Sequence, residues 1–93
     1  MLDNTDLLRG RLSARKDPEL RIEIVEKTMQ VFYTPKSGSL MFDITDHDGR
    51  MMLKGFCDPS QQVHQVILEN LKKGNYVLWL IDGADLIKYN FNY

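Results

Sequence analysis

The chain is 93 residues long, 43% hydrophobic and 27% charged, which is enough for one small hydrophobic core and too little for two. Twelve Lys and Arg against thirteen Asp and Glu give a formal net charge of −1, so no global field draws it to nucleic acid or an anionic membrane surface. No apolar run reaches the roughly 18 residues of a membrane span, and the composition is neither that of a disordered tail nor of collagen; the chain reads as a soluble globular domain.

Charge and aromatic content are distributed unevenly. Residues 1–20 hold four acids, four bases and no aromatic side chain, whereas all nine aromatics fall from Phe32 onward. The chain therefore divides into a charged leader, 1–20, and a core-bearing domain, 21–93. Within the leader, Leu8-Arg9-Gly10-Arg11-Leu12 is expected to form an edge strand near 6–12, and Ser13 to Pro18 reads as a mobile linker because charge and proline leave little to bury. The opening Met1-Leu2-Asp3-Asn4-Thr5-Asp6 carries acids where a secretory signal carries bases. Either the protein is cytoplasmic, or a signal has been removed.

From Leu20 the apolar residues recur with period two. Leu20, Ile22 and Ile24 alternate with Arg21 and Glu23, the pattern of a half-buried strand, and Glu26-Lys27 breaks it. Thr28 to Thr34 is a second strand with Met29, Val31 and Tyr33 on one face, closed by the turn Pro35-Lys36-Ser37-Gly38-Ser39. Leu40, Phe42 and Ile44 then share a face opposite Met41, Asp43 and Thr45. Asp48-Gly49 supplies a tight turn, because glycine adopts positive φ without penalty, and Met51, Leu53 and Gly55 return antiparallel, so 39–57 is a β-hairpin.

The segment 60–74 is locally ambiguous. Val63, Val66, Ile67 and Leu71 fit one helical face, with Ser60 as N-cap and Lys72-Lys73-Gly74 as the end. The alternative makes Val63 to Leu68 a strand and Glu69 to Gly74 a loop that tucks Leu71 into the core. Beyond it, Tyr76, Leu78 and Leu80 alternate with Val77, Trp79 and Ile81, Asp82-Gly83-Ala84-Asp85 turns, and Ile87, Tyr89 and Phe91 complete a second hairpin. Both faces of its first strand are apolar, as in a strand covered on both sides or one that exposes an adhesive face.

A strand ending in Ile44-Thr45-Asp46, a turn closed by Gly49-Arg50, a strand with Val66 and Leu68, and then Leu71, Gly74, Tyr76 and Leu78 resemble a Bacteroidetes family of small secreted β-sandwich domains of unknown function. The same Leu-x-x-Gly-x-Tyr ending is similar to the C-terminal sorting domains of the type IX secretion system. The resemblance covers roughly residues 20–93 and, weakly, the Leu8-Arg9-Gly10-Arg11 leader. It implies an all-β, immunoglobulin-like β-sandwich of about seven short antiparallel strands, an extracytoplasmic location, and strand rather than helix at Val63 to Leu68.

Catalytic signatures are missing. The lone Cys57 has no second thiol and no nearby cation to activate it. His47 and His64 lack the further ligands of a zinc site and read as a turn and a strand-surface histidine. The single glycines form neither a phosphate loop nor a dinucleotide fingerprint. Asp43, Asp46, Asp48 and Gly49 suggest calcium, but Met51 to Phe56 offers no closing carboxylate and turn chemistry accounts for Asp48-Gly49. The expectation is therefore no enzyme and no cofactor or metal. The row Val77, Trp79 and Ile81, joined by Met41, Met52 or Phe56, is the candidate binding surface for an unknown protein, a glycan or a homodimer mate, since tryptophan is enriched among binding hot spots. The competing reading has the leader around Leu8 and Leu12 cover this row. The function expected is a non-catalytic secreted or cell-envelope binding module, with a structural or export-associated module as the alternative.

Overall fold

A computed structural model of the chain describes residues 14–93; the strand expected at 6–12 lies outside the described residues. The remainder is all-β: β1 (Arg21–Val25), β2 (Thr28–Phe32), β3 (Leu40–Asp46), β4 (Met51–Cys57), β5 (Val63–Ile67), β6 (Asn75–Asp82) and β7 (Asp85–Asn92). Every pairing between them is antiparallel. They form two sheets, β1-β2-β5 and β4-β3-β6-β7. This is the immunoglobulin-like sandwich, in the variant whose fourth strand pairs with the third rather than extending the first sheet.

Alternation places the core between the sheets. Met29 and Val31 of β2 and Val66 of β5 face Leu40, Ile44, Leu78, Leu80 and Ile87, all buried. Because successive residues of a strand point to opposite faces, each sheet keeps a second face outside this core. The segment 60–74 resolves as strand plus loop: β5 ends at Ile67, and Leu71 tucks into the core. No helix starts at Ser60, whose amide and hydroxyl instead donate to Asp58 Oδ1 at 2.9 and 2.7 Å.

Two side-chain devices fix the connections. Tyr76, at the start of β6, donates its hydroxyl to the Lys72 carbonyl at 2.6 Å, the tyrosine corner of immunoglobulin-like sandwiches. That bond gives the Leu71…Gly74…Tyr76 order a structural meaning, with Leu71 buried beneath the loop that the tyrosine closes. On the opposite sheet, Glu26 turns β1 into β2 with φ of 57°, a left-handed conformation that disfavours a residue with a Cβ.

The leader joins the sandwich at Arg15. Its amide donates to the Leu86 carbonyl and its carbonyl accepts from the Lys88 amide, both at 3.0 Å, a parallel bridge on the free edge of β7. The guanidinium grips Asp85 through Nε, 3.0 and 2.8 Å from the two carboxylate oxygens, and reaches Asp17 at 3.2 Å. At Arg15 these bonds correct the expectation of a mobile linker, whose first residue, Ser13, lies outside the described residues: Arg15 is an attachment point. Two acids, Asp17 and Asp85, satisfy its charge.

Candidate functional site

The four-stranded sheet presents its outer face as cross-strand rows. The register aligns Phe56, Met41, Ile81 and Leu86 in one row and Lys54, Asp43, Trp79 and Lys88 in the next. Val77 lies one row further along, opposite Thr45 and Asn90. The sequence-derived row Val77, Trp79 and Ile81 is thus assembled on one face, with Met41 and Phe56 beside it, and all three of its members are half-buried. Trp79 is held in place: its indole Nε1 donates to Thr45 Oγ1 at 2.9 Å, and the Lys88 ammonium lies 5.5 Å from the ring centroid.

Exposure rises along the apolar row from one edge of the sheet to the other. Leu86 on β7 is 5% exposed, Ile81 and Met41 are half-buried, and Phe56 on β4 is 82% exposed. Among the described residues, the other large exposed apolar side chains are Met51 and Met52, also on β4, Val63 and Ile67 on β5, and Val25 on β1. The open apolar surface of the four-stranded sheet is therefore centred on β4. Sequence reasoning centred it on β6, because Trp79 carries the strongest residue-type signal and exposure depends on strand order, which periodicity does not encode.

Strand β4 is the free edge of its sheet. Its seven residues contain no proline and one charge, Lys54, whereas natural edges are commonly shortened, charged or interrupted by proline. Gly55 in its middle has a steric cause. A Cβ built there would meet Phe42 Cε1 at 2.8 Å, so the glycine lets the Phe42 ring lie against the strand.

Apart from Cys57, the titratable groups displaced from their ordinary range are engaged in the framework. Asp82 is 3% exposed at the end of β6. It accepts from the Tyr33 hydroxyl at 2.5 Å, the Lys36 amide at 2.8 Å, the Ser37 amide at 2.9 Å and the Ser37 hydroxyl at 2.5 Å. Burial works to raise its pKa, and the bonds from Ser37, Tyr33 and the two amides outweigh it, holding the carboxyl below the usual range. Burial and the neighbouring carboxylate push the Tyr33 hydroxyl well above its ordinary value. Tyr33 follows β2 in one sheet and Asp82 ends β6 in the other, so this bond pins the two sheets together.

The acidic turn is organised in the same way. Asp46 accepts the Asp48 and Arg50 amides, each at 2.9 Å, and Arg50 Nε at 2.7 Å. Its pKa is lowered, first by the Arg50 amide, against the opposing effect of burial, and then by the Arg50 side chain. Asp43 belongs instead to the Lys54–Trp79 row, so the four residues of the calcium reading do not converge. Among the described residues, no group of three or more His, Cys, Asp or Glu side chains is arranged to hold a metal. A hollow of about 490 Å³ beside the turn is bordered by Asp46, His47, Arg50, Met52, Lys72 and Tyr76, and its carboxylate, Asp46, is already fully engaged.

His64 departs from its expected place on the strand surface. It is 5% exposed and faces inward, its Nε2 3.1 Å from the Tyr33 carbonyl. Burial raises the pKa of the half-buried Cys57 thiol, which keeps it a poor nucleophile. Among the described residues, no helix is long and apolar enough to cross a membrane. The sequence matches no protein-family model and no curated protein significantly.

Proposed function

We propose that this protein is a non-catalytic binding module that meets its partner on the outer face of the four-stranded sheet, toward β4. The carrying observation is the row Leu86, Ile81, Met41, Phe56, whose exposure climbs from 5% to 82% across the sheet. An aromatic side chain that is held out beside a half-buried Trp and Met on a rigid sheet offers apolar area at low entropic cost, the composition of a binding hot spot. The adjoining Lys54 and Lys88 supply a polar border. The engagement of Asp46, Asp82 and Asp85 in turns and loop anchors favours a framework role for the acids over acid–base chemistry.

The location that accords with this reading is outside the cytoplasm, secreted or in the cell envelope, and its support is the resemblance to the Bacteroidetes sandwich domains. A protein or a glycan would both suit a flat face with one protruding aromatic ring. The test uses the full chain against a glycan array and a displayed random-peptide library, with hits remeasured by calorimetry. Phe56→Ser, at an exposed position, is expected to weaken binding at least tenfold with the thermal midpoint unchanged. Ligands bound equally well by Phe56→Ser and Trp79→Phe would refute the assignment of this face.

The alternative, a structural or export-associated module, draws on the Leu71-x-x-Gly74-x-Tyr76 corner that resembles the sorting domains. Residues 71–93 contain β6 and β7, so their deletion would destroy the sandwich along with any signal. The informative experiment fuses the intact chain to a reporter cargo in a type IX-competent host. Export of the cargo, lost when the chain is omitted, favours this alternative; retention excludes it.

A further inference from the structure

The backbone of β4 offers a second, directional mode of contact, independent of any ligand on the neighbouring face. Its orientation follows from the ladder. Arg15 bonds to the Leu86 carbonyl and the Lys88 amide, so on β7 these residues direct their backbone groups outward and Ile87 and Tyr89 direct theirs toward β6. Alternation then carries across the sheet. Leu80 and Leu78 face β7; Ile81 and Trp79 face Met41 and Asp43; Phe42 and Ile44 face Gly55 and Leu53. Lys54 and Phe56 are left with their amides and carbonyls on the free edge. No backbone hydrogen bond outside the strands engages either residue among the described residues.

We propose that this edge pairs with β4 of a second copy of the chain, antiparallel about a two-fold axis at Gly55, joining two four-stranded sheets into one of eight strands. Charge and shape select the copy and the register. Outward-facing residues must oppose outward-facing residues, which allows two-fold pairings centred on Leu53, Lys54, Gly55 or Phe56. Centring on Phe56 pairs only residues 55–57 within the two strands and runs on to Asp58, beyond the end of β4, whose carboxylate is already held by Ser60. Centring on Lys54 sets two ammonium groups directly opposite each other, an unfavourable cross-strand pair. Centring on Leu53 opposes Phe56 to Arg50, whose guanidinium is already bound to Asp46. Centring on Gly55 opposes Lys54 of each copy to Phe56 of the other, which stacks a cation on an aromatic ring twice. It also places glycine opposite glycine where the two backbones approach most closely. The exposed Phe56 rings then lie within the new sheet, and the two outer faces become continuous.

The register can be read chemically, because it opposes Leu53 of one copy to Cys57 of the other at a non-hydrogen-bonded position. Antiparallel partners there are close enough for a disulfide, whereas positions 53 and 57 of one strand are too far apart to bond. The experiment measures the mass of the full chain by analytical ultracentrifugation across a concentration series to the millimolar range. It adds oxidative crosslinking of Leu53→Cys and, as the register control, Met51→Cys. The wild type is expected to approach twice 10.9 kDa, and Leu53→Cys to give a covalent dimer under non-reducing conditions. Lys54→Pro removes an outward-facing amide without touching the ladder to β3 and should weaken association at least tenfold. The double substitution Lys54→Glu with Phe56→Glu, at two exposed positions, opposes carboxylates and should do the same with the fold intact. A wild type that stays monomeric at millimolar concentration would overturn the proposal. So would a dimer that survives both edge variants, or crosslinking through Met51→Cys in place of Leu53→Cys.

Discussion

Replacing Asp82 by alanine should cost far more than its position beside a surface turn implies. The carboxylate receives four hydrogen bonds, from the Tyr33 hydroxyl, the Lys36 and Ser37 amides and the Ser37 hydroxyl. Bonds to a charged group contribute about 1.5–3 kcal/mol each, and a buried donor stranded without a partner costs about 1–3 kcal/mol. The loop donors of Lys36 and Ser37 can turn to water, because Lys36 is exposed and Ser37 half-exposed. Tyr33, at 4% exposure, cannot. The loss is therefore about 3–5 kcal/mol, a fall of more than about 12 °C in midpoint for a domain of this size. Tyr33→Phe removes one donor and leaves three, for about 1–2 kcal/mol. Urea denaturation followed by the fluorescence of Trp79, the single tryptophan, measures both. The double substitution should cost clearly less than the sum, because the two residues share one bond. A loss under about 1 kcal/mol for Asp82→Ala, or strict additivity with Tyr33→Phe, would refute the idea that this bond pins the sheets.

Three further outcomes follow from particular residues. Glu26→Gly should stabilise the fold by about 0.5–1 kcal/mol, measured by the same denaturation, since glycine adopts the 57° φ at that turn without penalty. Gly55→Ala should destabilise by about 1–2 kcal/mol, because its Cβ would displace the Phe42 ring, and Phe42→Leu should recover part of that loss when the two are combined. Asp17, Asp46, Asp58, Asp82 and Asp85 are all held below the ordinary carboxylate range. Below about pH 5 the unfolded chain therefore binds more protons than the folded one, so stability is full above the unfolded carboxylate pKa and falls as pH drops through the folded values. A thermal midpoint that is flat or rising from pH 5 to pH 2 would contradict that sign, and Asp82→Asn should flatten part of the slope.

Much of the architecture was legible because period-two alternation marks a sheet with one buried face. Leu20, Ile22 and Ile24, then Met29, Val31 and Tyr33, and then Leu40, Phe42 and Ile44 turn inward as their spacing requires. The segment 60–74 was ambiguous for a physical reason: β5 directs Val63 and Ile67 outward, at 45% and 55% exposure, and His64 inward. Two exposed apolar residues and one buried polar residue imitate a helical stripe over so short a span. The Tyr33–Asp82 pin and the Arg15 bridge join residues 49 and 70 positions apart, and local pattern does not report contacts at such range. The candidate face was legible in its members, since Val77, Trp79 and Ile81 share a side of β6. Its open end at Phe56 depended on β4 being the edge of the sheet, which is a property of topology.

The proposed pairing of β4 with β4 of a second copy would join two four-stranded sheets at their free edges. Nuclear magnetic resonance spectra of the full chain, recorded from micromolar to millimolar concentration, read that pairing residue by residue. Shifts and slowed amide exchange are expected to be confined to Met51–Cys57 and their row neighbours Met41 and Ile81, with the Lys54 and Phe56 amides gaining the most protection. Spectra and exchange rates independent of concentration, or changes centred on the outer face of β1-β2-β5, would contradict it.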